Sequence, residues 1–341
     1  MLGRVAVRIA VAVALALAAP VQSAVAQSGF SVVEIGTAPG FDTTTGDDIN
    51  ASGQVAGTLH EGVLGEKRTA FVWDPSSGVR ALGDFAGRGT VGGGINDRGV
   101  LTGSAPSGHV YFGQTAFRWT AAGGFEDLGP AGDPSGINNA GEVIGTALGP
   151  AWVRWDAAGL VQPFGSLPYI YGSPQAINND GQIVGYAPGG GPAQIWDPTT
   201  GLGQLPAFPG GFSALAYDVN DLGHASGVAD VPYITKTKRG TSAPCGLRAN
   251  SCAVIWRDGR PTPVGPNGSF GYGINNNDHV VGQFLDGSNA FRAFLYRDGV
   301  FSDLNQLVPA GTPVLQEARA INDAGWILAN SQGRAFVLIP R

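Results

Sequence analysis

The sequence predicts an all-β, seven-bladed β-propeller whose last blade is closed by a strand from the N-terminus. Three observations predict it. A segment Ile-Asn-x-x-Gly-x-Val-x-Gly recurs seven times, its asparagines at 50, 96, 138, 178, 220, 275 and 322. The spacing of 40 to 55 residues suits a four-stranded blade, and the density of glycine leaves no window for the helices of a helical repeat. The seventh unit stops at Phe336-Val337-Leu338-Ile339 without a fourth strand, while Phe30–Gly36 near the N-terminus resembles the one that is missing.

The first residues stand apart from the fold. Arg4 and Arg8 precede an apolar run from Ile9 to Ala19, and Ala24-Val25-Ala26 offers small residues for cleavage. This is the pattern of a signal peptide cleaved after Ala26, so residues 1–26 are expected to be removed and 27–341 to form one domain. No cysteine sits near the cleavage site and no later run is continuously apolar for about 18 residues. A secreted or periplasmic chain without a membrane anchor is therefore expected, and a monomer. Loss of the two arginines takes the formal charge from −6 to −8 and leaves Lys67, Lys236 and Lys238 as the only lysines. Nucleic acid, which needs a basic stripe, is excluded as a partner.

Within each unit the asparagine opens a turn, where its side chain can cap nearby backbone. Glycine three residues on takes the positive φ that returns the chain into a hairpin. Asp278 replaces that glycine in the sixth unit and belongs to the few residue types that tolerate the conformation. Ile and Val beside the turn are expected to face the packed sheets. A third strand pairs a small residue with aromatics, as in Ala70-Phe71-Val72-Trp73 and Ala116-Phe117-Arg118-Trp119; Trp152 takes the alanine place in the third unit. A turn such as Asp74-Pro75-Ser76-Ser77-Gly78 leads to a fourth strand ending near Leu82-Gly83 or Leu128-Gly129. Pairing of the two termini in one blade would remove the open edges of the array.

These segments together resemble the HAF-type extracellular repeat proteins of bacteria, and the likeness runs through the whole chain after residue 26. It departs where the family often has a histidine before Ala-Phe: here Thr69, Thr115, Pro192, Cys252, Arg292 and Arg334 stand. The resemblance implies export and a propeller-like array, and no particular activity.

In a blade, the loop between the second and third strands and the loop to the next blade emerge on one face. The stretches assigned to that face, for example Thr58–Thr69, Ser104–Thr115, Gly165–Gln175 and above all Val228–Ser251, differ widely among units, as binding loops do on a rigid scaffold. They carry His60, Glu61, His109, Tyr111, Tyr169, Tyr171, Tyr186, Tyr233, Lys236 and Arg239, a mixture of rings and charges suited to an extracellular glycan or protein. Cys245 and Cys252 are expected to form a disulfide pinning the longest insertion, with a contribution of roughly 2–3 kcal/mol.

Catalytic and cofactor signatures are weak. His60, His109, His224 and His279 lack metal-ligand spacing, and Asp47-Asp48 lacks the alternation of a calcium loop. No phosphate loop, dinucleotide fingerprint or serine elbow occurs in a suitable context, so neither metal nor cofactor is expected. The leading expectation is a non-catalytic binding or matrix module. Its rival is a polysaccharide hydrolase or lyase using Asp47, Glu61, His60 and His109 around the central opening.

Overall fold

The computed structural model describes residues 29–62, 67–107, 113–129, 132–147, 151–164, 170–231 and 251–341. Seven four-stranded antiparallel sheets stand around an axis, the sixfold repetition of consecutive strands broken only in the last, whose order runs from Phe30–Glu34 through Arg334–Pro340 and Ile327–Ser331 to Glu317–Ile321. The expected closure is present: Phe30 faces Pro340 and Glu34 faces Phe336 along an unbroken ladder. Blades 1 to 7 are numbered here from the sheet that begins at Thr43. Their innermost strands are Thr43–Ile49, Val91–Ile95, Pro134–Ile137, Ser173–Ile177, Ala214–Val219, Phe270–Ile274 and Glu317–Ile321.

Alternation along the strands explains the layers. Ile49, Val55, Phe71 and Trp73 are buried and pack with Leu328 and Val337 of the preceding blade, so each core lies between two sheets. The indoles of Trp155 and Trp256 donate to Leu128 O (3.0 Å) and Pro206 O (2.8 Å) of the blade before, satisfying a polar group that the apolar layer would otherwise strand. The last glycine of the motif has a steric reason. A β-carbon on Gly282 would stand 1.8 Å from Phe270 O and 2.8 Å from the Phe294 ring, so the aromatic of the third strand requires that space.

The repeated asparagine does more than cap its own turn. In blade 4, Asn178 Oδ1 accepts from Gln182 N (2.8 Å), as expected of a turn asparagine, while its Nδ2 donates to Asn220 O of the next blade (2.8 Å). The same donation passes from Asn50 to Asn96, Asn138, Asn178, Asn220, Asn275 and Asn322, and Asn322 Nδ2 returns to Asn50 O at 3.0 Å. Seven buried amides thus form a closed hydrogen-bonded ring at the hairpin face. Asp278 has φ of +60°, the conformation its position demands. Its carboxylate is taken up by Arg257 Nε (2.6 Å) and His224 Nδ1 (2.8 Å), which gives His224 a structural role.

Strand boundaries differ from the sequence reading on the opposite face. The second strand of blade 1 runs on to Glu61 and the third begins at Lys67, so His60 and Glu61 are strand residues, not loop residues. The extension follows from pairing: His60 sits opposite Arg68, and Glu61 opposite Lys67 with an ion pair of 3.3 Å. Tyr186 likewise ends a strand, opposite Ala193. The fourth strand of blade 6 is Val300–Asp303, and Leu304 begins a short 3₁₀ turn.

Candidate functional site

Every innermost strand carries a β-bulge, and it falls three residues before the ring asparagine. A bulge leaves one residue out of the ladder and re-aims its side chain. Here the seven residues at that position, Asp47, Gly93, Ser135, Gln175, Tyr217, Tyr272 and Arg319, all line a central cavity of about 370 Å³. The hairpin frame is repetitive, yet its bulge position differs in every blade but two. That contrast is a sequence signal for a working site, legible once the asparagines are aligned.

The cavity is lined by acidic and by aromatic side chains. Asp48 Oδ1 accepts from Ile49 N (2.8 Å) and Oδ2 from Ile95 N of the next blade (2.9 Å). Asp218 repeats the device with Val219 N (2.8 Å) and Ile274 N (2.8 Å). Asp47 has no hydrogen-bond partner among the described residues; Arg319 acts on it through space. Tyr217 and Tyr272 meet edge to face at 5.3 Å, and the Arg319 guanidinium lies over the Tyr272 ring at 5.1 Å. Phe270 stacks on the Tyr272 ring at 6.3 Å and extends the aromatic wall.

Enclosure by protein penalises the charged form of these groups. Burial pushes Asp47 up to about 7, opposed by Arg319 and aided by Asp48 and Glu317. It pushes Asp48 to about 6 and Asp218 to about 7 in spite of their backbone hydrogen bonds, and the Tyr217 phenol to about 12. Carboxyls raised from 3.8 stabilise the fold fully below that value and lose the contribution as pH rises through about 6 to 7. His60 and His279, both lowered chiefly by burial, work in the opposite sense. Comparison with Asp47→Asn, neutral at every pH, isolates the carboxyl effect. The variant is expected to melt higher than the wild type near about pH 8 and to shed part of the decline from about pH 5. Parallel melting curves for the two proteins across that interval would refute it.

Beside the channel, on the variable-loop face, a second cleft of about 380 Å³ lies between blades 6, 7 and 1. Gln283, Gln316, Gln332, Asn330, Glu317, Thr44, Thr45 and Ser331 line it together with Phe291, whose side of the molecule is open enough to leave it 45% exposed. Asn330 is a structural amide, exchanging hydrogen bonds with Gly46 N (3.0 Å) and Gly46 O (2.9 Å) and donating to Glu317 Oε1 (3.1 Å). Gln316 Oε1 accepts from Gln332 N at 3.0 Å. The Gln283 amide has no partner among the described residues. Glu317 joins the two cavities, since it lines the cleft and acts electrostatically on Asp47.

The site residues read from the sequence are distributed differently. His60 and Glu61 lie on blade 1, Tyr171 (54% exposed) bridges to Ala151 of blade 3, Tyr186 belongs to blade 4, and all four line neither the channel nor the cleft. His109, Tyr111, Tyr169, Tyr233, Lys236 and Arg239 lie outside the described residues, as does Cys245. Cys252 is fully buried on the third strand of blade 5. Gln283, Phe291, Gln316 and Glu317 went unnoticed because nothing local distinguishes a surface glutamine from a binding one. Among the described residues no three His, Cys, Asp or Glu side chains are grouped to hold a metal ion.

No family model and no curated protein sequence matches the chain. In three dimensions it is similar to a streptogramin B lyase, with a TM-score of 0.51 and 11% identity over 93% of this chain and 99% of that one. It is also similar to virginiamycin B lyase from Staphylococcus aureus, at a TM-score of 0.56 and 9% identity, covering 92% of this chain and 100% of that one. A catalytically inactive form of the latter enzyme, solved with quinupristin, gives 0.53 and 12% identity, with 92% and 100% coverage. Likeness at such identities shows a shared scaffold. The chain is a β-propeller.

Proposed function

We propose that this chain is an exported, non-catalytic recognition module that binds a neutral glycan in the cleft beside the channel. The observation that carries the reading is the lining of that cleft: an open Phe291 ring next to side-chain amides, hydroxyls and one carboxylate. A sugar presents a patch of C–H groups that packs on a ring and a rim of hydroxyls that both donate and accept. Amides serve both directions, as Gln283 and Gln332 can, without the desolvation cost of a full charge. The signal-peptide pattern and the resemblance to HAF-type repeats support the location outside the cytoplasm.

Hydrolysis has one observation on its side: Asp47, with its carboxyl raised to about 7, lies within electrostatic reach of Glu317, and a pair of carboxyls is the constellation that hydrolysis of a glycosidic bond uses. One experiment separates the readings. The chain from residue 27 is screened on immobilised neutral glycans and the hits are then incubated with the free polysaccharide. Binding is expected without release of reducing or unsaturated ends, and Phe291→Ala is expected to weaken it about tenfold, with an unaltered melting midpoint. Indifference to Phe291→Ala would remove the cleft from consideration. Release of new chain ends that disappears in Glu317→Gln would establish the hydrolytic reading instead.

A further inference from the structure

The central channel holds a charge imbalance that the neighbouring cleft does not. Three carboxyls, Asp47, Asp48 and Asp218, share the cavity with one cation, Arg319. Asp48 and Asp218 are committed to the fold, each gripping two backbone N–H groups across a blade boundary. Asp47 is not. Its half-buried carboxyl lines the cavity and has no hydrogen-bond partner among the described residues, so it is open to a ligand that enters the channel.

The aromatic residues show what the channel accepts. Arg319 rests over the Tyr272 ring at 5.1 Å, so this aromatic surface already holds a cation by its π face. Tyr217, edge-on to Tyr272 at 5.3 Å, is a second ring of the same wall and carries no such cation among the described residues. An anionic ligand would meet three acidic side chains; a cation would find a carboxylate and a ring.

We propose that the channel is a second binding site, for a small ligand bearing a protonated primary amine, seated between the Asp47 carboxylate and the Tyr217 ring. A cavity of about 370 Å³ is at the small end of ligand pockets, which suits one amino-sugar ring or a short diamine rather than a chain. The site has its own lining residues, and Glu317, which lines the cleft and acts on Asp47, is the one link between the two.

Binding is linked to protons. Asp47 is faced by Arg319, Asp48 and Glu317, Asp218 by Asp48 and Asp221, Asp48 by Asp97 and Arg319, and Tyr217 by Tyr272, Tyr186 and Arg319. In the empty channel, protons offset this excess of negative charge, and an ammonium ion displaces them. Affinity therefore rises with pH over the range in which the carboxyls ionise.

Calorimetry on the chain from residue 27 tests this with cadaverine and its uncharged counterpart 1,5-pentanediol at about pH 5 and about pH 8. Cadaverine is expected to bind at least about tenfold more tightly at the higher pH, with release of protons, and the diol not at all. Asp47→Asn is expected to weaken cadaverine at least about tenfold, and Arg319→Gln, which removes the resident competitor, to tighten it. Glucosamine against N-acetylglucosamine at about pH 7 shows whether the amine is accepted on a sugar. Equal binding of diol and diamine, an Asp47→Asn protein with wild-type affinity, or no heat with either amine would overturn the proposal.

Discussion

A chain that begins at Gly36 is expected to melt at least about 10 °C below the chain that begins at residue 27, or to aggregate before it melts. The truncation removes Phe30, which is 2% exposed and packs with Leu304, Leu315 and Phe336, and Ile35, which is 4% exposed. Burial of an apolar side chain of this size contributes roughly 1.5–3 kcal/mol, so these two with the half-buried Val32 account for several kcal/mol. The exposed ion pair of Arg334 with Glu34 adds little. More consequential is the edge. Phe336 to Pro340 would lose a ladder partner along its whole length and offer unpaired backbone to any other chain. Loss of the strand also unlocks blade 7 from blade 1, since Val337 packs on Ile49 and Phe71. A synthetic peptide spanning residues 29–36 should restore part of the midpoint. Equal thermal stability of the truncated and intact chains would show that the ring does not depend on its closing strand.

The asparagine ring should be nearly as sensitive. Asn178→Ala removes the acceptor of the half-buried Gln182 N, and it leaves buried Asn220 O with only the bond from Gly223 N. A cost of about 3 kcal/mol or more is expected. Asn178→Asp separates the two roles. The carboxylate still accepts from the turn backbone, but it cannot donate to Asn220 O and now repels that carbonyl. It should therefore fall between the wild type and the alanine variant in chemical denaturation. An aspartate variant as stable as the wild type would mean that the link between blades contributes nothing and that the turn alone needs asparagine.

These two cases also show where reading from sequence succeeds and where it stops. The turn role of Asn178 was legible, because a side chain that caps the backbone two to four residues away acts within its own hairpin. Its donation to Asn220 was not, because the acceptor lies 42 residues off and becomes a neighbour only when blades are stacked. The closing strand was legible for a different reason: a repeat lacking one strand at its end and having one to spare at its start admits a simple circular solution. His60 and Glu61 were misplaced into a loop because their strand is held by pairing with Arg68 and Lys67, which no local preference announces.

The site divides along the same line. Asp47 was a candidate as one of a pair of acidic residues, whereas Tyr217, Tyr272 and Arg319 carried no mark of their own. A bulge aims each of them at the axis, and a bulge is a mismatch between two strands, so one strand cannot display it. The cleft residues Phe291, Gln283 and Glu317 come from blades 6 and 7, and only the ring brings them together.

Repetition, turn chemistry and alternating burial are local in the chain, and they were enough to specify seven sheets, their order and their closure. Which of these side chains meet across the axis was decided by tertiary structure alone. Seven strands distant in sequence bring their bulge residues to a shared cavity, and the enclosure that raises the channel carboxyls exists only where those strands meet.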